Sequence, residues 1–186
     1  MILSNTDISS EITKGNLRIA NFNEECMRPS SYLLRLNNHL LRLRDGEAEI
    51  DTKKTDTADY FDSYEIGNEG FILKPGDFYL GSSVEKLSIP LNMCADLFQL
   101  SCYARIGLSV NFSSNLVASS FGISEPSTLT FEIKNLSNRD IRIYPYVKFC
   151  HIRFLYHETQ ASQKYNGIYS GQSVAKASNF EQKPAR

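Results

Sequence analysis

Apolar residues in this chain come in short runs, and several of those runs alternate with polar residues. Leu129-Thr130-Phe131-Glu132-Ile133 keeps a strict period of two, one face apolar and the other polar, as a half-buried strand requires. After a turn cluster at residues 135–140 the period resumes in Ile141-Arg142-Ile143-Tyr144. Pro145 breaks it, and residues 148–155 form a last strand. Phe71-Ile72-Leu73 and Phe78-Tyr79-Leu80 flank Lys74-Pro75-Gly76-Asp77, where Pro and Gly occupy sensible turn positions. Residues 17–19 give another short run, and residues 32–36 and 40–43 give a pair with Asn37-Asn38 between them. Residues 51–62 are acidic, polar and poor in aliphatics, which predicts a surface loop or insertion. The helical signal is confined to the start. Ser4 with Asp7 three residues on resembles a capping box, Ile8 and Ile12 lie one turn apart, and Gly15 follows. These residues predict a short helix over 5–14. One small helix and many short strands predict a mainly β chain, a β-sandwich or a Greek-key barrel. Residues 170–186 are small and polar and read as an arm or tail. The expected division is a single domain over 1–170 and a flexible C-terminal arm over 171–186.

Composition narrows the class. The chain has 186 residues, 41% of them hydrophobic and 22% charged, which suits one soluble globular domain and excludes a large multidomain machine. Twenty basic against 21 acidic side chains leave a net charge of −1, which argues against a duplex nucleic acid held by a basic field. A small anion held by a few placed cations stays open. No apolar run reaches the length of a membrane span, and the opening residues lack a basic start followed by an apolar block. No membrane partner and no secretory signal are expected, and the cytoplasm is the expected compartment. Cys26, Cys94, Cys102 and Cys150 are widely spaced with no CxxC pair, so free thiols are expected.

The common chemical motifs are missing. There is no GxxxxGK[ST], no GxGxxG and no GxSxG. His39, His151 and His157 fall in neither HExxH nor HxE, and PCxxC is absent, so the zinc deaminase signature is missing and no metal ligands are expected. His151 and His157 read as surface or packing histidines. One segment stands out: Gln99-Leu100-Ser101-Cys102-Tyr103-Ala104-Arg105-Ile106-Gly107-Leu108. Alone, it reads as a capping serine and an arginine on a surface turn. Glu132, on the polar face of its strand between Thr130 and Lys134, is either a solvated carboxylate or one that faces a pocket shared with Ser101 and Arg105.

Taken in order, the segments resemble the dCTP deaminase branch of the dUTPase-like trimeric family. The resemblance is carried by Met1-Ile2-Leu3-Ser4 with Asp7-Ile8 and Gly15, and by Arg28-Pro29-Ser30-Ser31-Tyr32 with Arg35-Leu36. It continues in Phe71, Leu73, Pro75-Gly76, Ser83-Val84-Glu85 and Ile89-Pro90, then in Ser101 with Ala104-Arg105-Ile106-Gly107-Leu108. It ends with Glu132 and Asn135, Tyr169-Ser170-Gly171-Gln172 and Ser178. The chain departs from the family at Leu33, Asn37, Leu100, Cys102, Gly122 and Ile168. By the resemblance, Leu100, Cys102 and Ile168 would each remove a triphosphate contact that the family makes. A charge-assisted hydrogen bond is worth about 1.5–3 kcal/mol, so each loss weakens binding roughly ten- to a hundredfold unless Lys164, Arg139 or Arg142 substitutes. Gly122 stands where the family has an aspartate on which phosphate hydrolysis relies.

The resemblance implies a dUTPase-like distorted β-barrel, a homotrimer with shared sites, and metal-independent hydrolysis of dCTP to dUTP and ammonia. Glu132 would be the general base and proton shuttle, and Ser101 would orient the water. Arg105 would fix Glu132 or stabilise charge near the pyrimidine, from a neighbouring subunit. The main chain at Ala118, with Thr130 and Phe131, would read the base edge, and Cys102 and Ala104 fall at substrate-binding positions. Tyr169 and Gln172 would lie on the C-terminal arm over the phosphates. Mg²⁺ would ride on the triphosphate, with no zinc and no protein cage. Two other readings stay open: a catalytically inactive nucleotide-binding or regulatory trimer on the same fold, and an unrelated β-sandwich binding module.

Overall fold

The computed structural model describes residues 1–46, 49–53, 57–167, 169 and 171–180. Ile168, Ser170, part of the 51–62 loop and the last six residues of the expected arm lie outside the described residues. Helix α1 (Asn5–Thr13) begins with the reciprocal bonds its sequence offers. Ser4 Oγ accepts from the Asp7 N–H at 3.2 Å, and the Asp7 carboxylate accepts from the Ser4 N–H at 2.9 Å. Donation to that carboxylate from the Ser4 N–H, and from the Ser4 hydroxyl at 2.7 Å, holds it below its usual range. Gly15, at φ 75°, supplies the left-handed residue that ends the helix.

The remaining elements are β1 (Arg18–Ala20), β2 (Met27–Arg28), β3 (Ser31–Leu43), β4 (Phe61–Glu65), β5 (Phe71–Leu73), β6 (Phe78–Ser88) and β7 (Met93–Gln99). They continue with the short helix α2 (Ser101–Arg105), β8 (Leu108–Ser109), β9 (Leu116–Val117), β10 (Ser127–Asn135), β11 (Ile141–Ile143) and β12 (Lys148–Tyr156). One sheet runs in the order β8-β10-β6-β3-β12-β7-β9, with β1 added to β6, and β2 and β4 to β3; β5 and β11 pair separately. The pairings are antiparallel.

The sheet curls because β3 serves both halves. Its first half pairs with β12 (Leu34↔Cys150) and its second with β6 and β4 (Leu40↔Gly81, Leu43↔Phe61). The pattern of apolar residues divides this segment at Asn37-Asn38, and the structure corrects that reading: β3 runs unbroken for 13 residues. The asparagines sit where the register against β6 shifts between Leu36 and Leu40. Asn37 Oδ1 accepts from the Asn38 N–H at 2.8 Å, and Asn38 Nδ2 donates to Glu65 Oε1 at 2.7 Å. Such local side-chain bonding suits a bulge as well as a turn. The expected loop at 51–62 also ends early, because Phe61 and Asp62 already pair with Leu43 and Arg42.

Inward-facing residues fill the curl. Phe131, Phe149, Phe154 and Tyr32 are fully buried, with the Phe131 ring 5.5 Å from Phe149 and Tyr103 at 5.4 Å on the other side. Each such side chain contributes about 1.5–3 kcal/mol by leaving water. Glu85 is buried on β6 and accepts from Arg35 twice, from its N–H at 2.8 Å and its Nε at 2.7 Å, which ties β3 to β6. A buried carboxylate requires a partner of this kind. The four cysteines are free. Among the described residues no helix is long and apolar enough to cross a membrane.

Candidate active site

Strand β10 sets the site. Its alternation turns Phe131, Ile133 and Asn135 into the core and leaves Thr130, Glu132 and Lys134 half-buried on the opposite face. Glu132 Oε2 accepts three hydrogen bonds from the loop between β8 and β9: from the Ser113 N–H at 2.7 Å, Ser113 Oγ at 2.8 Å and the Ser114 N–H at 3.1 Å. The Glu132 carbonyl also accepts from the Phe112 N–H at 3.1 Å, so the loop grips this residue at both ends. The carboxylate is thereby fixed through Oε2, and Oε1 takes no hydrogen bond among the described residues.

Glu132 lines a cavity of about 380 Å³, within the size range of small-molecule sites. Its apolar wall comes from β6, β7, β9 and β10 through Leu80, Leu97, Val117 and Leu129. Ala118, Thr130, Tyr169 and Gln172, all expected at the substrate, line it too. The chain end forms the far side. The Thr128 N–H donates to the Gln172 carbonyl at 3.0 Å, and Gln172 Nε2 donates back to the Thr128 carbonyl at 2.7 Å. The Gly171 N–H donates to Ser127 Oγ at 2.9 Å, and Thr57 donates to the Ser178 carbonyl through its N–H at 3.2 Å and its Oγ1 at 2.6 Å. Tyr165 packs its ring 6.0 Å from Phe121, and burial, then the neighbouring Tyr169, pushes its phenol pKa up.

Five of the expected residues do not line the cavity. Ser101, Cys102, Ala104 and Arg105 lie on α2, exposed, and do not line the cavity. Helix α2 is anchored by Tyr103, which donates through its hydroxyl to the Lys148 carbonyl at 3.1 Å. Phe131 is the fifth: it is absent from the lining, and its ring belongs to the core. Gly122 has φ 65°, and a Cβ there would lie 2.0 Å from the Leu87 carbonyl oxygen. No side chain fits that backbone.

Sequence reasoning did not reach Ser113, Ser114, Tyr165 or Lys176. The Ser113-Ser114 pair just before β9 carried a weak signal, as small polar residues free to donate from a bend. Tyr165 and Lys176 carried none beyond lying in a polar stretch.

Residues 2–157 match the dCTP deaminase-like family. A dCTP deaminase, dUMP-forming, from Corynebacterium kroppenstedtii is 32% identical over 149 residues, 80% of this chain and 78% of the other. Another, from Sulfurihydrogenibium sp., is 29% identical over 180 residues, 97% of each chain. Among solved structures, the 2'-deoxycytidine 5'-triphosphate deaminase from Agrobacterium tumefaciens matches with a TM-score of 0.65 at 18% identity, over 84% of this chain and 48% of that one. The chain thus spans about half the length of that structure's chain. A curled, mainly antiparallel sheet of this kind places the protein in the dUTPase-like fold class. Within that class, the chain belongs to the dCTP deaminase-like family. An unrelated β-sandwich module is thereby excluded.

Proposed function

We propose that the protein hydrolyses the 4-amino group of dCTP, releasing ammonia, with Glu132 as the general base. The observation that carries this reading is the Glu132 carboxylate, pinned through Oε2 by Ser113 and Ser114 in a largely apolar cavity, with Oε1 unengaged among the described residues. The relatives' names support the same chemistry. Glu132 Oε1 takes a proton from water as its oxygen attacks C4, then returns that proton to the departing amine. Thr130 and the main chain at Ala118 face the base. Ser101 and Arg105 enter from α2 of a neighbouring protomer in a homotrimer; their exposure in one chain suits that role. Mg²⁺ arrives on the triphosphate, held by phosphate oxygens and water. Glu132, the one carboxylate lining the cavity among the described residues, is free for base chemistry. The enzyme works in the cytoplasm.

The relatives are dUMP-forming, which adds to the deamination the attack of a second water on the α-phosphorus with pyrophosphate leaving, and dUMP is the product on this reading. A second reading, release of dUTP, is favoured by Gly122, which leaves no room for the carboxylate to which the resemblance assigns phosphate hydrolysis. Nothing in the site or the family match supports the catalytically inactive alternative.

The test is to incubate the protein with dCTP and Mg²⁺, then measure ammonia and separate the nucleotides. Ammonia release that falls about a hundred- to ten-thousandfold in Glu132→Gln supports the assignment, that being the usual worth of a general base. No release from the wild-type protein, or release untouched by the substitution, defeats it. The nucleotide recovered, dUMP or dUTP, decides the product.

A further inference from the structure

Only two charged side chains line the cavity among the described residues, Glu132 and Lys176. Lys176 is exposed and takes part in none of the ion pairs of the described residues. Its place is set from both sides: four residues before it Gln172 is bonded to β10, and two residues after it the Ser178 carbonyl is held by Thr57.

Gln172, the residue expected over the phosphates, is occupied otherwise. It is 3% exposed, and its Nε2 donates to the Thr128 carbonyl at 2.7 Å and to Thr130 Oγ1 at 3.2 Å. A carbonyl only accepts, so the amide nitrogen must face Thr128 and the orientation of the amide is settled. The group left over is Oε1, a buried acceptor with no partner, which a phosphate oxygen cannot satisfy. The other cations do not serve either. Lys164, Arg139 and Arg142 are not among the lining residues, and Arg142 is spent on the Glu69 carbonyl at 2.8 Å.

We infer that Lys176 binds the phosphate chain of the nucleotide. The inference rests on the nucleotide reading of the cavity proposed above. It places an anion-binding ammonium on the same chain as Glu132, so base and phosphate are held by one protomer. Lys176 then governs affinity rather than the chemical step.

The test compares wild-type protein with Lys176→Met and Lys176→Arg, measuring affinity for dCTP with Mg²⁺, for inorganic triphosphate and for deoxycytidine. Lys176→Met is expected to weaken dCTP and inorganic triphosphate by about ten- to a hundredfold, the worth of one charge-assisted hydrogen bond, and to leave deoxycytidine unchanged. Lys176→Arg should restore most of the loss. Equal weakening of deoxycytidine, unchanged affinity for dCTP, or a wild-type protein that binds neither anion overturns the inference. Lysine-dependent dCTP binding without ammonia release would sustain it while defeating the deaminase reading. Ammonia release with dCTP affinity indifferent to Lys176 would do the reverse.

Discussion

At the scale of single residues, the site depends on how Glu132 is held rather than on Glu132 alone. A carboxylate on a strand swings about its side-chain bonds; three donors on one oxygen remove that freedom, and a positioned base is what the reaction needs. Ser113→Ala removes one of the three and leaves both backbone donors. Loss of a hydrogen bond to a charged group costs about 1.5–3 kcal/mol, so a drop in kcat of roughly tenfold or more is expected, with KM for dCTP nearly unchanged. Steady-state kinetics of ammonia release check this, and a rise in KM at constant kcat would assign Ser113 to substrate binding instead. Glu132 itself was legible in the sequence, because the period of two in residues 129–133 fixes which side chains share a face. Its partners were not. Ser113 and Ser114 meet Glu132 only because β8 pairs with β10 and brings the intervening loop across, and that pairing of Lys134 with Ser109 is not written in either segment alone.

At the scale of elements, strand identity was more legible than strand boundary. The alternations in β10, β11 and β12 and the cap of α1 could be read directly, since each depends on neighbours in sequence. Strand β3 was divided at Asn37-Asn38 because a turn and a bulge draw on the same asparagine chemistry, and only the partner strand distinguishes them. The join between β12 and β3 offers a pH test. His151 Nδ1 and Ser31 Oγ share a hydrogen bond of 2.9 Å across it. Burial first, and the Arg28 cation second, lower the His151 pKa from its usual 6.5. A group whose folded pKa is depressed takes up its proton in the unfolded chain first. The stability it contributes is complete above about pH 6.5 and is lost as pH falls from there through the folded pKa. Melting temperatures measured between about pH 7.5 and 5.5 should therefore fall further for the wild type than for His151→Gln. Parallel curves would show that His151 has no such part in the acid response.

At the scale of the whole molecule, one protomer holds Glu132 in its cavity while α2 presents Ser101 and Arg105 outward. In a cyclic trimer with sites between subunits, damage to the two elements is complementary. Glu132→Gln and Arg105→Met, each inactive alone, should regain ammonia release when unfolded and refolded together, because some sites then combine an intact Glu132 with an intact α2. A solution mass three times that of the chain should accompany it. Failure to complement in a confirmed trimer would place each site within a single chain. The sequence could not decide this, since a residue's exposure in one copy and its burial against another have the same local pattern.

The crossing of Gly122 and Leu87 also limits what substitution can reach. Every glycine codon lies one base from an acidic one, aspartate for two of them and glutamate for the other two, so an acid is within reach of a single error in replication. The Leu87 oxygen, 2.0 Å from where the first side-chain atom would stand, closes that route. An acid at this position requires the turn at Gly122 to move away from strand β6 first, so no single substitution installs one on this backbone.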